Sequence, residues 1–132
     1  MASSESLSST SVDNRDSLPT VLFVDDEPDL LLMYDELHAA EFPVLTASSG
    51  REAIEMVETH GTKIEFAFFD RRLPDFTGEE LIQAVRNLGY DSPLGIISAA
   101  EPDPDLGVEY DVYLTKPVTD TQVTDAILEH TS

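Results

Sequence analysis

The sequence contains no cysteine and no tryptophan, and only two lysines, Lys63 and Lys116, among 132 residues. Without cysteine, disulfides, thiol catalysis and cysteine-based zinc sites are excluded. No apolar run approaches the roughly 18 residues of a transmembrane helix, and the first residues lack the basic and apolar regions of a secretory signal. These absences predict a soluble protein of the cytoplasm with no membrane partner.

Positive charge is scarce along the whole chain. Seven Lys and Arg stand against 27 Asp and Glu, which gives a formal net charge of −20. Because nucleic acids are bound through clustered Lys and Arg, a direct nucleic-acid surface is excluded, and anionic membranes are equally disfavoured. So acidic a chain is typical of a salt-rich cytoplasm, where ions screen the self-repulsion of the protein. The alternative is an ordinary acidic protein that its charge keeps soluble.

The chain divides into a short polar tail and one domain. Residues 1–18 contain seven serines and almost no large apolar side chains, which predicts a disordered tail. Residues 19–131 have the length expected of a single domain. The overall hydrophobic content of 41 % is sufficient for a core.

Short apolar runs alternate with helical patterns across this domain. Strands are predicted at 20–24, 44–46, 64–69, 94–97 and 112–114. Helices are predicted at 28–40, 50–60, 78–88 and 120–130. Such alternation indicates right-handed crossovers and therefore a doubly wound α/β fold with a five-stranded parallel sheet. The strands are apolar almost throughout, as in sheets that helices cover on both faces.

A capping signal refines one of the helices, and two others carry a recognisable core face. Ser49, with Glu52 three residues later, predicts a capping box at the start of the second helix. Core positions are predicted from their spacing at Leu81, Ile82, Val85 and Leu88 in the third helix and at Val123, Ile127 and Leu128 in the last.

Polar residues follow four of the five predicted strands at their carboxyl ends. They are Asp25, Asp26 and Glu27 after the first strand, Asp70 after the third, Ser98 after the fourth and Lys116 after the fifth. Each has an ordinary alternative role, as a helix cap, a turn residue or a surface lysine. In parallel sheets, however, this edge is where ligands bind. The convergence of these residues at one edge therefore defines a candidate site.

The residue types at this edge indicate phosphoryl chemistry. Converging carboxylates repel one another and require a cation. Magnesium prefers carboxylate oxygens together with water and phosphate, while a lysine and a hydroxyl are suited to phosphoryl oxygens. The set describes phosphoryl transfer onto a carboxylate, with Asp70 as the nucleophile.

Four segments at these strand ends resemble the motifs of response-regulator receiver domains. They are residues 24–27, 70–78, 96–99 and 113–117. The resemblance covers residues 20–130 and implies a flavodoxin-like sheet with strand order 2-1-3-4-5. The amino-acid sequence of residues 70–74, together with the acidic composition, further resembles that of haloarchaeal receivers of the HalX type.

The resemblance implies that Asp70 accepts phosphate from a sensor histidine kinase. It also implies that Asp26, Asp70 and the main-chain carbonyl of Arg72 ligate Mg²⁺, with Asp25 acting through water. Such a protein catalyses only its own phosphorylation and dephosphorylation. Its expected partners are the kinase, a downstream protein and, weakly, a second copy of itself.

Three further residues have roles that the resemblance implies. Ser98 is the hydroxyl that closes on the phosphoryl group, and Tyr113 is the aromatic residue that changes rotamer with it. Lys116 pairs with the phosphate. The Lys116–Pro117 bond is expected to be cis, since cis bonds are essentially confined to proline.

The segment between the fourth and fifth strands departs from the family pattern. Eighteen residues separate Ser98 from Lys116, fewer than is usual, and residues 101–107 include two prolines and a glycine. This composition predicts a shortened fourth helix, either a single turn or a loop. The usual output and dimer surface of the family includes that helix, so its use is in doubt here. The chain also lacks a HalX-type output region, so we expect a stand-alone receiver or a fragment.

Three other classes share part of this pattern. A haloacid-dehalogenase-type phosphatase needs a second acid two residues after its nucleophile, and Glu27 stands so after Asp25, but Asp29 occupies the place of the expected Thr or Val. A flavodoxin-like cofactor binder needs a phosphate-cradling loop where Asp25 and Asp26 would repel the phosphate. A pseudo-receiver that binds partners without phosphorylation is the third, although every chemical position is filled.

Overall fold

The computed structural model of the protein describes residues 19–38, 42–103 and 107–131. The predicted disordered tail, residues 1–18, lies outside the described residues. Within the described ranges, no helix is both long and apolar enough to cross a membrane.

Five strands and four helices alternate along the described chain. The strands are β1 (Thr20–Val24), β2 (Val44–Ala47), β3 (Ile64–Phe69), β4 (Leu94–Ser98) and β5 (Val112–Thr115). The helices are α1 (Pro28–His38), α2 (Gly50–His60), α3 (Gly78–Asn87) and α4 (Asp120–Thr131). The predicted ends agree to within one residue wherever the structure describes them. The end predicted for the first helix, at residue 40, lies outside the described residues.

All five strands are parallel and lie in the order β2-β1-β3-β4-β5, as predicted. Val24, the last residue of β1, is paired with Ala47 in β2 and with Phe69 in β3. Ser98 and Thr115 are paired in the same way at the ends of β4 and β5. The polar residues that follow these strands therefore emerge at one edge of the sheet.

The core lies in two layers, one on each face of the sheet. On one face, Leu22, Val24 and Phe69 belong to a cluster that α2 and α3 complete. On the other face, Phe23 and Phe68 pack with buried residues of α1 and α4. Alternate residues of each strand point to opposite faces, so continuous apolar strands are what this doubly covered sheet requires.

The crossover from β4 to β5 contains no helical residue at 99–103 or 107–111, the parts of it that the structure describes. This agrees with the shortened fourth helix predicted from its prolines. The final helix is therefore α4 in this fold.

Two predicted core positions are wrong. Leu88 is 47 % exposed because it is the C-cap of α3 and lies beyond its last full turn. Leu128 is 51 % exposed. It follows the buried Ile127, and neighbouring helical residues point in directions about 100° apart.

The capping box predicted for α2 is half correct. The Ser49 side chain accepts a hydrogen bond from the backbone amide of Glu52, at 3.1 Å. The Glu52 carboxylate, however, accepts from the amide and hydroxyl of Ser48. A complete capping box occurs instead at α3, between Thr77 and Glu80.

Candidate functional site

Asp25 and Asp70 extend two neighbouring strands by one residue each. The Asp25 amide donates to the Ala47 carbonyl at 3.1 Å, and the Asp70 amide donates to the Val24 carbonyl at 3.0 Å. These bonds continue the parallel ladder beyond the last paired residues of β1 and β3. The sheet itself therefore places the two carboxylates side by side.

The two carboxylates have the same hydrogen-bond pattern. The Oδ1 atom of each accepts from the backbone amide two residues later, Glu27 for Asp25 and Arg72 for Asp70, both at 3.0 Å. The Oδ2 atom of each accepts from Lys116 Nζ, at 2.9 Å for Asp25 and 3.0 Å for Asp70. One lysine thus bridges two acids that would otherwise repel each other.

Asp26 completes an acidic cluster with Asp25 and Asp70. One carboxylate oxygen from each of the three lies within 4.8 Å of the others. Asp25 is 2 % exposed and Asp70 is 9 % exposed, whereas Asp26 lies open to solvent. Hard oxygen donors on a half-open edge fit Mg²⁺, which keeps several of its waters.

Burial and charge perturb two groups at this edge. Burial raises the pKa of the Asp25 carboxyl, and the hydrogen bond from Lys116 only partly opposes it. Burial alone would lower the pKa of Lys116, but its hydrogen bonds to Asp25 and Asp70 raise that pKa above its usual range. Lys116 therefore stays charged at neutral pH, as a partner for anionic oxygens must.

The turn after β5 fixes Lys116 beside Ser98. The Lys116 amide donates to the Ser98 carbonyl at 2.8 Å. The Lys116–Pro117 peptide bond is cis, as predicted. Ser98 is buried, and its Oγ accepts from the Ala100 amide at 3.2 Å.

The hydroxyl of Tyr113 binds the segment that follows Ser98. It donates to the Ala100 carbonyl at 2.6 Å and accepts from Arg71 Nη1 at 3.4 Å. Among the described residues, neither this hydroxyl nor that of Ser98 is hydrogen-bonded to the acidic cluster. The structure thus joins Ser98 to Tyr113 through Ala100, and joins Lys116 to the carboxylates.

The loop between β3 and α3 folds back beside the acidic cluster. Arg72 and Thr77 form an antiparallel bridge across it, and the Gly78 amide donates to the Arg71 carbonyl at 2.7 Å. A Cβ on Gly78 would lie 2.9 Å from the Arg71 Cα, so this close approach requires glycine. The loop holds the Arg72 backbone next to Asp70, while the Arg72 side chain is exposed.

The sequence patterns did not identify two residues that organise this loop. Asp75 accepts from the amides of Gly50 and Arg51, at 2.8 and 3.0 Å, and so attaches the loop to the start of α2. Arg71 extends from the loop to the β4–β5 crossover. An arginine directly after Asp70 was a visible signal, but its partners are distant in sequence.

Comparison with known proteins identifies the family. The profile of the "Response regulator receiver domain" family matches residues 21–128. The chain therefore belongs to the response-regulator receiver family. This membership excludes the dehalogenase-type phosphatase and the flavin-binding alternatives.

Individual relatives agree with the family match. The chain is 32 % identical over 121 residues to a Haloferax volcanii protein named as a transcriptional regulator. It is 34 % identical over 109 residues to the alkaline phosphatase synthesis transcriptional regulatory protein PhoP of Bacillus subtilis. These matches cover 90 % and 78 % of the chain but only 20 % and 44 % of the relatives. The chain thus spans less than half the length of either one.

A solved structure supports the fold. The receiver domain protein from Clostridium thermocellum superposes with a TM-score of 0.78, covering 86 % of this chain and 94 % of that one, at 24 % identity. Receiver domains are signalling modules of two-component systems, and in general they are phosphorylated, bind Mg²⁺ and act with sensor histidine kinases.

Proposed function

We propose that this chain is an active phosphoacceptor receiver in which Asp70 takes phosphate from a sensor histidine kinase. The observation that carries this proposal is the meeting of three carboxylates and one lysine at a single sheet edge. The buried carboxylates of Asp25 and Asp70 repel each other, which opposes folding. A pseudo-receiver gains no phosphorylation chemistry in return, so the presence of this set of residues supports an active receiver.

The chemical step is a displacement at phosphorus. A carboxylate oxygen of Asp70 attacks the phosphorus of a phosphohistidine, and a P–O bond forms as the P–N bond breaks. The imidazole nitrogen keeps the electron pair and takes up a proton. The acyl phosphate on Asp70 is later hydrolysed by water, which returns the carboxylate and releases inorganic phosphate.

Residues of this chain position and neutralise the transferred group. Lys116 already donates to Asp70 and is placed to pair with the new phosphoryl oxygens. The buried Ser98 hydroxyl donates to the same oxygens from β4. Tyr113 is linked to Ser98 through Ala100, because both hydroxyls contact that residue.

Asp25, Asp26, Asp70 and the Arg72 carbonyl would hold Mg²⁺, with Asp25 acting through water. Bound there, the ion neutralises the negative charge that accumulates on the phosphoryl oxygens. The backbone hydrogen bonds of Asp25 and Asp70 keep both carboxylates oriented toward that site.

Phosphorylation can be tested directly with a small-molecule donor. Incubation with acetyl phosphate and MgCl₂ is expected to retard the wild-type chain on a Phos-tag gel. Asp70→Asn retains the shape of the side chain but cannot form the acyl phosphate, so it is expected to run as the untreated protein. A wild-type chain that is not retarded would establish the pseudo-receiver alternative.

The setting of this receiver follows from its charge and from its relatives. We place the folded unit at residues 19–131 and the protein in a cytoplasm of high salt, which suits a net charge of −20. It acts as a stand-alone receiver or as part of a longer regulator. The downstream partner is a protein, and homodimers, if formed, are weak because the β4–β5 crossover lacks a helix in its described residues.

A further inference from the structure

Arg71 connects the phosphoacceptor loop to the β4–β5 crossover. It directly follows Asp70, and its side chain is only 16 % exposed. Nη1 donates to the Glu101 carbonyl at 3.2 Å and to the Tyr113 hydroxyl at 3.4 Å. The same guanidinium lies 3.8 Å from a Glu79 carboxylate oxygen.

A continuous path of hydrogen bonds leads from Arg71 to Ser98. Arg71 donates to Tyr113, whose hydroxyl donates to the Ala100 carbonyl at 2.6 Å. The Ala100 amide in turn donates to Ser98 Oγ at 3.2 Å. Since Ser98 Oγ accepts in this bond, its own proton is left to donate to an incoming phosphoryl oxygen.

These side-chain contacts hold a segment that has no helical structure of its own. Arg71 and Tyr113 each bind a backbone carbonyl of residues 100–101, and Ser98 binds a backbone amide there. The described residues of the crossover contain no helix that would otherwise order it. These three side chains, together with the ion pair of Arg71 and Asp103 at 3.9 Å, therefore hold the segment beside the site.

We propose that Arg71 is a positioning residue for phosphotransfer, which fixes Tyr113 and residues 99–101 before the phosphoryl group arrives. The proposal rests on the proposed function for the roles of Asp70 and Ser98, but its contacts exist in the unmodified protein. The family resemblance implies that Tyr113 changes rotamer on phosphorylation. In this chain Arg71 instead keeps the Tyr113 hydroxyl on Ala100 with and without phosphate, and the Ser98 hydroxyl makes the response.

The first test observes Tyr113 in the intact protein by NMR of ¹³C-labelled tyrosine, with Tyr113→Phe identifying its signal among the four tyrosines. In the wild type we expect one Tyr113 signal that barely moves after addition of acetyl phosphate and MgCl₂. In Arg71→Ala the signal is expected to shift in the unphosphorylated protein. Arg51→Ala is the matched control, because this substitution removes the same charge. The exposed side chain of Arg51 contacts only Glu55 among the ion pairs of the described residues.

The second test measures amide hydrogen exchange of residues 99–103 in the unphosphorylated protein. Arg71→Ala is expected to accelerate exchange there about tenfold, the effect of losing a hydrogen bond from a charged group. Tyr113→Phe removes one hydroxyl, leaves the Arg71 ion pairs intact and should accelerate the same amides. Arg71 binds the Glu101 carbonyl directly and also contacts the Tyr113 hydroxyl, so the effect of the double variant is expected to fall short of the sum of the two single effects.

Activity separates positioning from simple stabilisation of the fold. Arg71→Ala should be phosphorylated about tenfold more slowly at saturating MgCl₂ and acetyl phosphate, with unchanged magnesium affinity. Arg71→Lys, which keeps the charge, should restore part of that rate.

Three outcomes overturn the proposal: an unshifted Tyr113 signal in Arg71→Ala, additive exchange effects in the double variant, or a wild-type Tyr113 signal that moves on phosphorylation as far as it does in Arg71→Ala. If no variant is phosphorylated, the proposed function fails. The signals and exchange rates of the unmodified protein still decide the role of Arg71.

Discussion

Asp26 is the exposed member of the acidic cluster, whereas Asp25 beside it is buried and hydrogen-bonded to Lys116. Asp26→Asn therefore removes one charge from the metal site and leaves the bridging lysine in place. We expect magnesium affinity to fall by about tenfold or more, because the ion binds a charged oxygen far better than an amide. Phosphorylation of Asp70 should be lost with it. Titration calorimetry with MgCl₂ and a Phos-tag gel measure the two effects.

The control for this substitution is Asp29→Asn, which removes the same charge from the first turn of α1, outside the cluster. It should bind magnesium as the wild type does. Without the ion, Asp26→Asn should be more stable than the wild type, since one of three repelling carboxylates is gone. Unchanged magnesium affinity in Asp26→Asn would remove Asp26 from the ligand set.

Arg72 is the second arginine of the loop and differs from Arg71 in its surroundings. The two acids considered as its partners have other contacts, Glu79 with Arg71 and Asp75 with the amides that begin α2. The exposed Arg72 guanidinium is therefore available to pair with phosphoryl oxygens and to obstruct the water that attacks phospho-Asp70. Arg72→Ala should accept phosphate normally and lose it faster. A tenfold shorter lifetime corresponds to about 1.4 kcal/mol.

The measurement for Arg72 is the decay of the phosphorylated form at one magnesium and one salt concentration. The carbonyl of residue 72 remains in Arg72→Ala, so the substitution removes only the side chain. Arg51→Ala removes the same charge at a position distant in the sequence. Its phosphorylated form should decay at the wild-type rate. Equal decay rates in all three proteins would show that Arg72 does not protect the phosphate.

At the scale of elements, α2 begins with every early amide satisfied, partly by a distant side chain. Asp75 accepts from the amides of Gly50 and Arg51, Ser49 Oγ accepts from that of Glu52, and the Ser49 carbonyl accepts from that of Ala53. A carboxylate at this position also complements the helix dipole. The start of α2 and the loop beside the candidate site therefore support each other.

This cap predicts a pH-dependent loss of stability. Slight burial acts to raise the pKa of Asp75, but hydrogen bonds from the Arg51 and Gly50 amides outweigh it and hold the pKa below the ordinary 3.8. The stabilisation is therefore present above that ordinary value and disappears as pH falls through the lower folded-state pKa. Asp75→Asn should lower the free energy of unfolding by about 0.5–1 kcal/mol at pH 7, since solvent screens the exposed carboxylate.

Urea denaturation of both proteins between pH 7 and pH 3 checks this linkage. The difference between wild type and Asp75→Asn should shrink as the pH falls below 3.8, because the stabilisation by the charged carboxylate is progressively lost there. Asp125→Asn, an exposed substitution in α4 with the same change of charge, should show little difference at any pH. A constant difference across the range would mean that the charge of Asp75 contributes nothing.

Sequence patterns predicted the elements well because hydrophobic periodicity is a local property. The strand order was implied by the family resemblance, whereas the meeting of Asp25, Asp70 and Lys116 was predictable once the strands were assigned, since parallel strands end at one edge. The other contacts between distant segments were not predictable. Asp75 takes the α2 amides from 24 and 25 positions away, and Arg71 reaches Tyr113 over 42. Glu52 shows a similar limit over a short distance. The sequence pattern does not decide whether its carboxylate accepts from the amide of Ser48 or from that of Ser49.

At the scale of the whole molecule, the positively charged side chains that form ion pairs are concentrated at the candidate site. Arg71 and Lys116 both lie at the candidate site and hold most of the close ion pairs among the described residues. The remaining surface is dominated by carboxylates, because 27 acids cannot pair one to one with seven Lys and Arg. Outside the site, the fold therefore carries strong self-repulsion that only the solvent can relieve.

This self-repulsion predicts that the fold depends on salt. Molar KCl shortens the Debye length to about 3 Å, so the thermal midpoint should rise from low to molar KCl. At this chain length, each gain of about 1 kcal/mol in the free energy of unfolding should raise the thermal midpoint by about 4 °C.

General salting-out would also raise the midpoint, so the matched control neutralises three exposed acids, Glu58→Gln, Glu65→Gln and Asp125→Asn. If screening is the cause, this variant starts from a higher midpoint at low salt and gains less from added KCl. A flat wild-type profile, or equal gains in both proteins, would refute a halophilic adaptation and leave the proposed phosphoacceptor role of Asp70 untouched.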